Sequence, residues 1–301
     1  MTRIEWTDET WNPMRGCQKV SAGCKNCYAE TFANRFKGSV GNAYELGFIP
    51  REVPEMLLKP LTYKKPSLVF VNSMSDVFHE SFSDEYIYKV FTVMREIHWH
   101  HYQVLTKRPV RMKQMLDTSL KEFSTLRNIW LGVSVEDKKA YDSRVEILRN
   151  TNATTRFLSI EPLLEDLGEL SLSNIAWLIV GGESGFKSRP IEESWVQSIL
   201  KQSEEQNVPL HFKQWGGVRK NETGRILNGR TYDNFPKFKF NSMPSKLELK
   251  QIKDRLENLL NIETKTNSKI EYFHSETREN SPESSKVKNG IYSRQEYVEV
   301  S

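Results

Sequence analysis

Six short apolar runs rich in Val, Ile and Phe punctuate the chain at residues 68–71, 102–105, 129–133, 156–160, 176–180 and 208–212. Runs of this length and composition, bounded by polar segments, suit strands buried on both faces. Between most of them lie segments with apolar residues at helical spacing, at 84–98, 109–116, 137–149 and 191–206. Asp84, Asp137 and Ser194 stand near the expected helix starts, and Pro109 suits a first helical turn. A further strand is expected ahead of residue 16. Strand and helix alternating this often predict an α/β fold, with a parallel sheet and helices packed outside it.

A doubly wound open sheet and a barrel both satisfy that alternation, and the residues following each strand separate them. The second strand leads into Asn72-Ser73-Met74-Ser75-Asp76, the third into Thr106-Lys107-Arg108 and the fourth into Ser134-Val135-Glu136. The fifth leads into Glu161-Pro162, the sixth into Gly181-Gly182-Glu183-Ser184 and the seventh into Lys213-Gln214-Trp215. In a barrel all these ends converge on one mouth. In an open doubly wound sheet only the ends beside the switch point meet a ligand. The even distribution therefore predicts a full or partial TIM-like (β/α) barrel over residues 1–240.

Residues 29–38 read as a helix, with Ala29, Phe32, Ala33 and Phe36 at helical spacing. Residues 39–66, with Gly41, Gly47 and four prolines, read as an irregular insertion able to close the mouth. Within 241–261, Leu249, Ile252, Leu256 and Leu259 form one face of an amphipathic helix. Residues 262–301 are rich in Glu, Lys, Ser, Thr and Asn and are expected to be a disordered tail. No run approaches the length of a membrane span, and the N-terminus lacks a basic segment followed by an apolar one, so the expected location is cytoplasmic, with no membrane partner. A net charge of +4 permits nucleic acid as a partner without demanding it.

Every cysteine of the chain lies between Gly16 and Tyr28, at Cys17, Cys24 and Cys27. Thiols this clustered, with no others elsewhere, suit a reducing compartment and metal binding rather than a disulfide framework. Three is the informative number. A closed structural zinc site wants four protein ligands. A cubane iron–sulfur cluster has four irons, each usually held by one thiolate, so three cysteines leave one iron open to a small molecule. The alternative is a zinc knuckle completed by a histidine such as His79, in a nucleic-acid-binding or adaptor protein without catalysis.

The chain resembles the radical S-adenosylmethionine (SAM) enzymes, and more closely the three-Cys-motif phage protein family placed near them. The carrying residues are Trp6-Thr7, Thr10-Trp11-Asn12-Pro13, Gly16-Cys17, Gly23-Cys24 and Cys27-Tyr28-Ala29, joined by Ser73-Met74-Ser75-Asp76, Leu105-Thr106-Lys107-Arg108-Pro109 and Gly132-Val133-Ser134-Val135-Glu136. Ser159-Ile160-Glu161-Pro162, Gly181-Gly182-Glu183-Ser184-Gly185 and Lys213-Gln214-Trp215-Gly216 extend the likeness, which covers about residues 1–236. Radical SAM enzymes commonly place three residues in the first gap and an aromatic just before the third cysteine; here the gap holds six, Asn26 precedes Cys27 and Tyr28 follows it. The resemblance implies a barrel of the radical SAM type with a [4Fe-4S] cluster on Cys17, Cys24 and Cys27. SAM would bind the open iron through its amino and carboxylate groups. An external one-electron reductant such as flavodoxin or ferredoxin would drive its cleavage, and the resulting radical would take hydrogen from a substrate. The phage association extends the expectation to a nucleic acid or nucleotide substrate.

The same resemblance assigns places to the strand-end residues. Ser73, Ser75 and Asp76 stand where the SAM ammonium would be held, though Ser and Asp also serve as turn and cap residues. Ser134 and Glu136 stand where ribose hydroxyls would be accepted, or where a carboxylate simply decorates a helix N-terminus. Gly181 and Gly182, followed by Glu183, let a ligand approach backbone N–H groups, or let the chain turn tightly. Arg108 beside Lys107, and Lys213 with Trp215, could grip an anionic substrate. His79 is a candidate for proton transfer to or from substrate. The His98-Trp99-His100-His101 cluster reads as structural, at a helix end.

Overall fold

The computed structural model describes residues 4–261. Seven strands form one wholly parallel sheet: β1 (Glu9–Trp11), β4 (Leu68–Val71), β5 (His101–Thr106), β6 (Ile129–Ser134), β7 (Thr155–Ile160), β8 (Trp177–Gly181) and β9 (Leu210–Gln214). They pair in chain order with no switch point. Among the described residues β1 and β9 do not pair with each other, so the sheet is a curled, open half-barrel and the partial rather than the full barrel is realised. A two-stranded ribbon joins β2 (Met14–Arg15) to β3 (Arg51–Glu52), tying the 39–66 insertion to the start of the cysteine loop. No helix is long and apolar enough to cross a membrane among the described residues.

Five helices follow strand ends or the cysteines: α1 (Tyr28–Asn34), α2 (Asp84–Glu96), α3 (Pro109–Asp117), α4 (Lys138–Arg149) and α5 (Glu193–Glu205). A short α6 (Lys220–Thr223) and a longer α7 (Lys246–Leu259) complete the set. Local chemistry fixes the starts. Ser83 caps α2 by accepting from the Tyr86 N–H, Asp137 caps α4 by accepting from Ala140, and Pro109 opens α3. Ser194 lies inside α5, whose cap position is Glu192. Ser245 and Glu248 make a reciprocal capping box for α7, which buries Leu256 against the domain. The expected tail at 262–301 lies outside the described residues.

Alternation along each strand builds two cores. Val69, Val71, Tyr102, Val104, Leu131, Val133, Leu158 and Val180 face the helices and join Ile87, Val90, Met112, Val145 and Ile199. Leu68, Phe70, Trp130, Phe157, Trp177 and Ile179 face inward with Trp6 and fill the floor of the half-barrel. Gly132 makes room for this packing, since a Cβ there would lie 2.5 Å from the Phe157 ring. An aromatic strap after β9 covers the floor: Phe238 packs on His101 and Trp130, and Phe235 on Trp177. Its backbone accepts from indole Nε1 of Trp177 at Asn234 and lies 3.2 Å from His101 Nε2 at Lys239.

Candidate functional site

With the floor filled by aromatics, the carboxyl ends of the strands carry the polar residues, and the cysteine loop lies across them. The loop leaves β2 at Gly16, whose φ of +79° is open to glycine and whose missing Cβ would otherwise meet the Ile49 carbonyl oxygen at 2.2 Å. From there to α1 it is tied to the strand ends one after another.

The ties after β4 come first. Ser75 Oγ donates to the Gly16 carbonyl at 2.6 Å, and the Gly16 N–H donates to Met74. Tyr28 Oη donates to the Ser73 carbonyl, while Ser73 Oγ bonds Asn12. Asp76 sits buried below. Its carboxylate accepts from Phe78 N–H and Thr106 Oγ1 on one oxygen, and from Lys107 N–H and Arg108 on the other. Asp76 thus locks the turn after β4 to the turn after β5.

Arg108 is the second anchor. It is 7% exposed and spans Asp76 at 3.1 Å, Glu80 at 2.9 Å, the Gln18 carbonyl at 3.2 Å and Cys17 Sγ at 3.7 Å. The guanidinium therefore grips the loop through both a backbone oxygen and a sulfur. Burial, with Asp76 adding to it, pushes the Cys17 thiol up to about 11, and the nearby Arg108 offsets this only in part. His79 is buried beside this cluster. Its Nδ1 accepts from the Ser81 N–H, its Nε2 has no partner among the described residues, and burial followed by Arg108 lowers its pKa.

Below the middle of the loop lies Glu136, fully buried after β6. Arg144 from α4 reaches both of its oxygens, at 2.8 and 3.2 Å, and Lys107 Nζ lies 3.7 Å away. Gly23 rests on this carboxylate, where a Cβ would come within 3.1 Å of it. Burial alone would raise Glu136; Lys107, Arg144 and Ser21 more than offset that and hold its carboxyl below the usual range. Ser134 is buried, and its carbonyl accepts from Arg144.

The last tie comes from the turn after β8. Glu183 is 6% exposed and accepts from Arg189 through its backbone N–H and its guanidinium, and from Asn26 Nδ2 at 2.9 Å. Here too burial pushes upward, and the hydrogen bonds from Arg189 and Asn26 leave the carboxyl below its ordinary value. Gly182 permits the close approach of this turn to the end of β9, since a Cβ would lie 2.0 Å from the Trp215 carbonyl oxygen. Gly181 makes room for an ion pair between Glu161 Oε1 and Lys213 Nζ at 3.1 Å, with Ser159 Oγ also on Glu161. Trp215 stacks edge-on against Phe212 and donates to the Ile226 carbonyl, a packing role.

Of the residues singled out from the sequence, Ser73, Ser75, Arg108, Glu136 and Glu183 touch the cysteine loop directly and Asp76 holds Arg108 against it, whereas the contacts of His79, Ser134, Gly181, Gly182, Lys213 and Trp215 among the described residues lie elsewhere. Sequence reasoning missed Asn26, Arg144, Arg189 and the pairing of Glu161 with Lys213. Only Arg144 carried a signal, as a charged residue on the core-facing side of α4 between Tyr141 and Leu148. Two shallow grooves, between the 55–62 segment and α7 and between α3 and α4, lie away from this end.

The donor chemistry bears on the expected metal group. Cys24 and Cys27 are close enough to couple electrostatically, Cys24 Sγ lies 3.7 Å from Ser21 Oγ, and Cys17 is turned toward Arg108. Among the described residues, no three or more of His, Cys, Asp and Glu converge on a single ion position. Tetrahedral zinc demands such convergence. A cubane cluster gives each iron its own thiolate, so its ligands approach from separate corners. The three thiols lie on one loop, and among the described residues His79 is not brought into a zinc set with them.

A family model described as a protein of unknown function (DUF5131) matches residues 1–236. No curated protein and no solved structure matches the chain.

Proposed function

This chain belongs to the DUF5131 family, and we propose that it is a radical SAM-like enzyme in which Cys17, Cys24 and Cys27 hold a [4Fe-4S] cluster at the mouth of the half-barrel. The observation that carries this reading is the placement of all three thiols on one loop pinned across the strand ends by Ser75, Arg108, Glu136 and Glu183. The chemistry such a cluster supplies when bound is one-electron reductive cleavage of the sulfonium carbon–sulfur bond of SAM, with flavodoxin or ferredoxin as the class of electron source.

The chain's own residues supply the rest. Arg108 holds Cys17 in place and offers it a positive charge. Glu136 with Arg144 and Glu183 with Arg189 fix the loop's height above the floor. Backbone and hydroxyl groups of Ser73, Ser75 and Ser134 stand at the strand ends where polar groups of a cofactor would be met. Glu161 and Lys213 form a partly exposed pair on the concave side, able to hold or move a proton for a substrate. His79 Nε2 is buried and without a partner among the described residues, and burial followed by Arg108 lowers the pKa of its ring. The insertion at 39–66 packs on the loop through Phe48 and Ile49 and limits water from that side.

Anaerobic reconstitution tests the reading. Bound iron and sulfide, a broad visible absorption bleached by dithionite, and 5′-deoxyadenosine formed from SAM are the expected results. Colourless protein that retains only zinc after the same treatment overturns it. The Cys17→Ala variant should lose turnover and keep its melting temperature, whereas a zinc-dependent fold would collapse.

A further inference from the structure

Three loops meet at the outer rim of the mouth. Asn26 Nδ2 donates to the Lys187 carbonyl at 2.8 Å, the Gly185 N–H to Gly217 at 3.1 Å and the Gly217 N–H to Glu183 at 2.8 Å, so the cysteine loop, residues 183–189 and residues 215–219 form one continuous edge. The side chains this edge turns outward are unusual in combination. Phe186 is 87% exposed and Val218 62%. Phe186 is lifted by Gly185, which has a φ of +116°. Alternating with them are Lys19, Lys25, Lys187 and Arg219. The carboxylates nearby are already engaged: Glu30 with Lys19, Glu183 with Arg189, Glu222 with Arg219. Lys25 and Lys187 take part in no ion pair among the described residues.

We infer that this rim binds single-stranded nucleic acid, with Lys25 and Lys187 on phosphates and Phe186 stacked on a base. The fit is chemical. An exposed aromatic ring flanked by unneutralised cations suits a flexible strand that offers a phosphate and a base face at every step. A lipid surface asks for a contiguous apolar face, and here charged residues sit directly beside Phe186 and Val218. A basic edge within a chain of only +4 overall also places the attraction locally rather than over the whole surface. The inference names the substrate class for the proposed enzyme and rests on that reading only for the chemistry at the mouth, because binding at the rim requires no metal.

The test is fluorescence anisotropy of a labelled single-stranded thymidylate oligomer with the full-length, metal-free protein at several salt concentrations. Binding at physiological salt is expected, with an affinity that falls linearly in log–log form as salt rises. Phe186→Ala should weaken it about ten-fold. Lys25→Gln with Lys187→Gln should lower the salt slope by about 1.4. Lys121→Gln, an exposed lysine remote from these loops in sequence and outside their hydrogen-bonded edge, should change neither, and unchanged melting curves confirm that each variant folds. Three results overturn the inference: no binding, binding that the rim variants leave unaltered, or anionic phospholipid vesicles bound with the same dependence on Phe186. Failure to reconstitute a cluster would leave this result standing, and absence of oligomer binding would leave the cluster reading standing.

Discussion

The side-chain amide of Asn26 donates to the carboxylate of Glu183 across 157 positions of sequence, at 2.9 Å. With a second bond from the same amide to the Lys187 carbonyl, this bond joins the residue before the third cysteine to the turn after β8. Its acceptor is also held by Arg189, so the contact couples loop position to a partly buried ion pair.

Glu183→Ala should therefore cost about 2–3 kcal/mol, the worth of hydrogen bonds to a buried charge, and leave Asn26 held to this turn only through the Lys187 carbonyl. Chemical denaturation measures the first effect. The second should appear as faster alkylation of Cys24 and Cys27 under native conditions. Full loss of stability with unchanged alkylation would show that the bond from Asn26 to Glu183 does not restrain the loop.

The pH dependence of stability should follow Glu136. Its folded carboxyl titrates below the ordinary value, so its contribution is complete above about pH 4.3 and is lost as pH falls through the folded value. Near neutrality Glu136→Gln leaves Arg144 buried without its anion and should cost about 3 kcal/mol. The gap between wild type and variant should narrow as the pH is lowered toward 3, because only the wild type has that stabilisation to lose. Denaturant melts across this range decide it; a constant gap would mean that Glu136 is not the titrating group.

Much of this arrangement was legible in the sequence, and its limits have physical causes. Apolar runs marked β4 to β9 because strands buried on both faces are continuous in hydrophobicity, and Asp137 and Pro109 marked helix starts through local bonds. Polar residues at successive strand ends pointed to one mouth. Nothing local could reveal that Asp76 spends its oxygens on Thr106, Lys107 and Arg108, or that Glu136 is neutralised from α4, since those partners are set by how neighbouring βα units pack. The aromatic strap at 235–240 was invisible for a similar reason: Phe235, Phe238 and Phe240 have neither helical nor strand surroundings and find their place only on the Trp130 and Trp177 floor.

Cys17 should be slow to react in the metal-free protein. With its pKa pushed up to about 11 by burial and Asp76, the thiolate fraction at pH 8 is on the order of one in a thousand, so alkylation should be about a hundredfold slower than for a free thiol. Mass spectrometry after brief iodoacetamide treatment resolves the site. Arg108→Met removes the nearby cation and should slow the reaction further; a faster reaction would mean that Arg108 shields the sulfur more than it stabilises the thiolate.

Gly16→Ala probes the root of the loop. A non-glycine residue at a φ of +79° costs about 1–2 kcal/mol, and the added methyl would also strike backbone at Ile49 rather than a side chain that can yield. The total should reach at least about 2 kcal/mol, with the Ser75 to Gly16 bond lost as the loop shifts. A variant of wild-type stability would show that the insertion is not packed on Gly16 as described.

The ion pair of Glu161 and Lys213 gives the sharpest test of the concave face. The two side chains are 14% and 22% exposed and meet across the end of β8, where Gly181 alone leaves room. Their attraction is less screened than at an open surface, so a double-mutant cycle of Glu161→Gln and Lys213→Met should give a coupling of about 1 kcal/mol, above the few tenths of many exposed pairs. Gly181→Ala places a Cβ 3.1 Å from Glu161 Oε1 and 3.3 Å from Lys213 Cβ. It should therefore reduce the same coupling when the cycle is repeated in that background. Coupling that survives the added methyl would show that the pair forms by another route than across β8, and its place on the concave side would have to be redrawn.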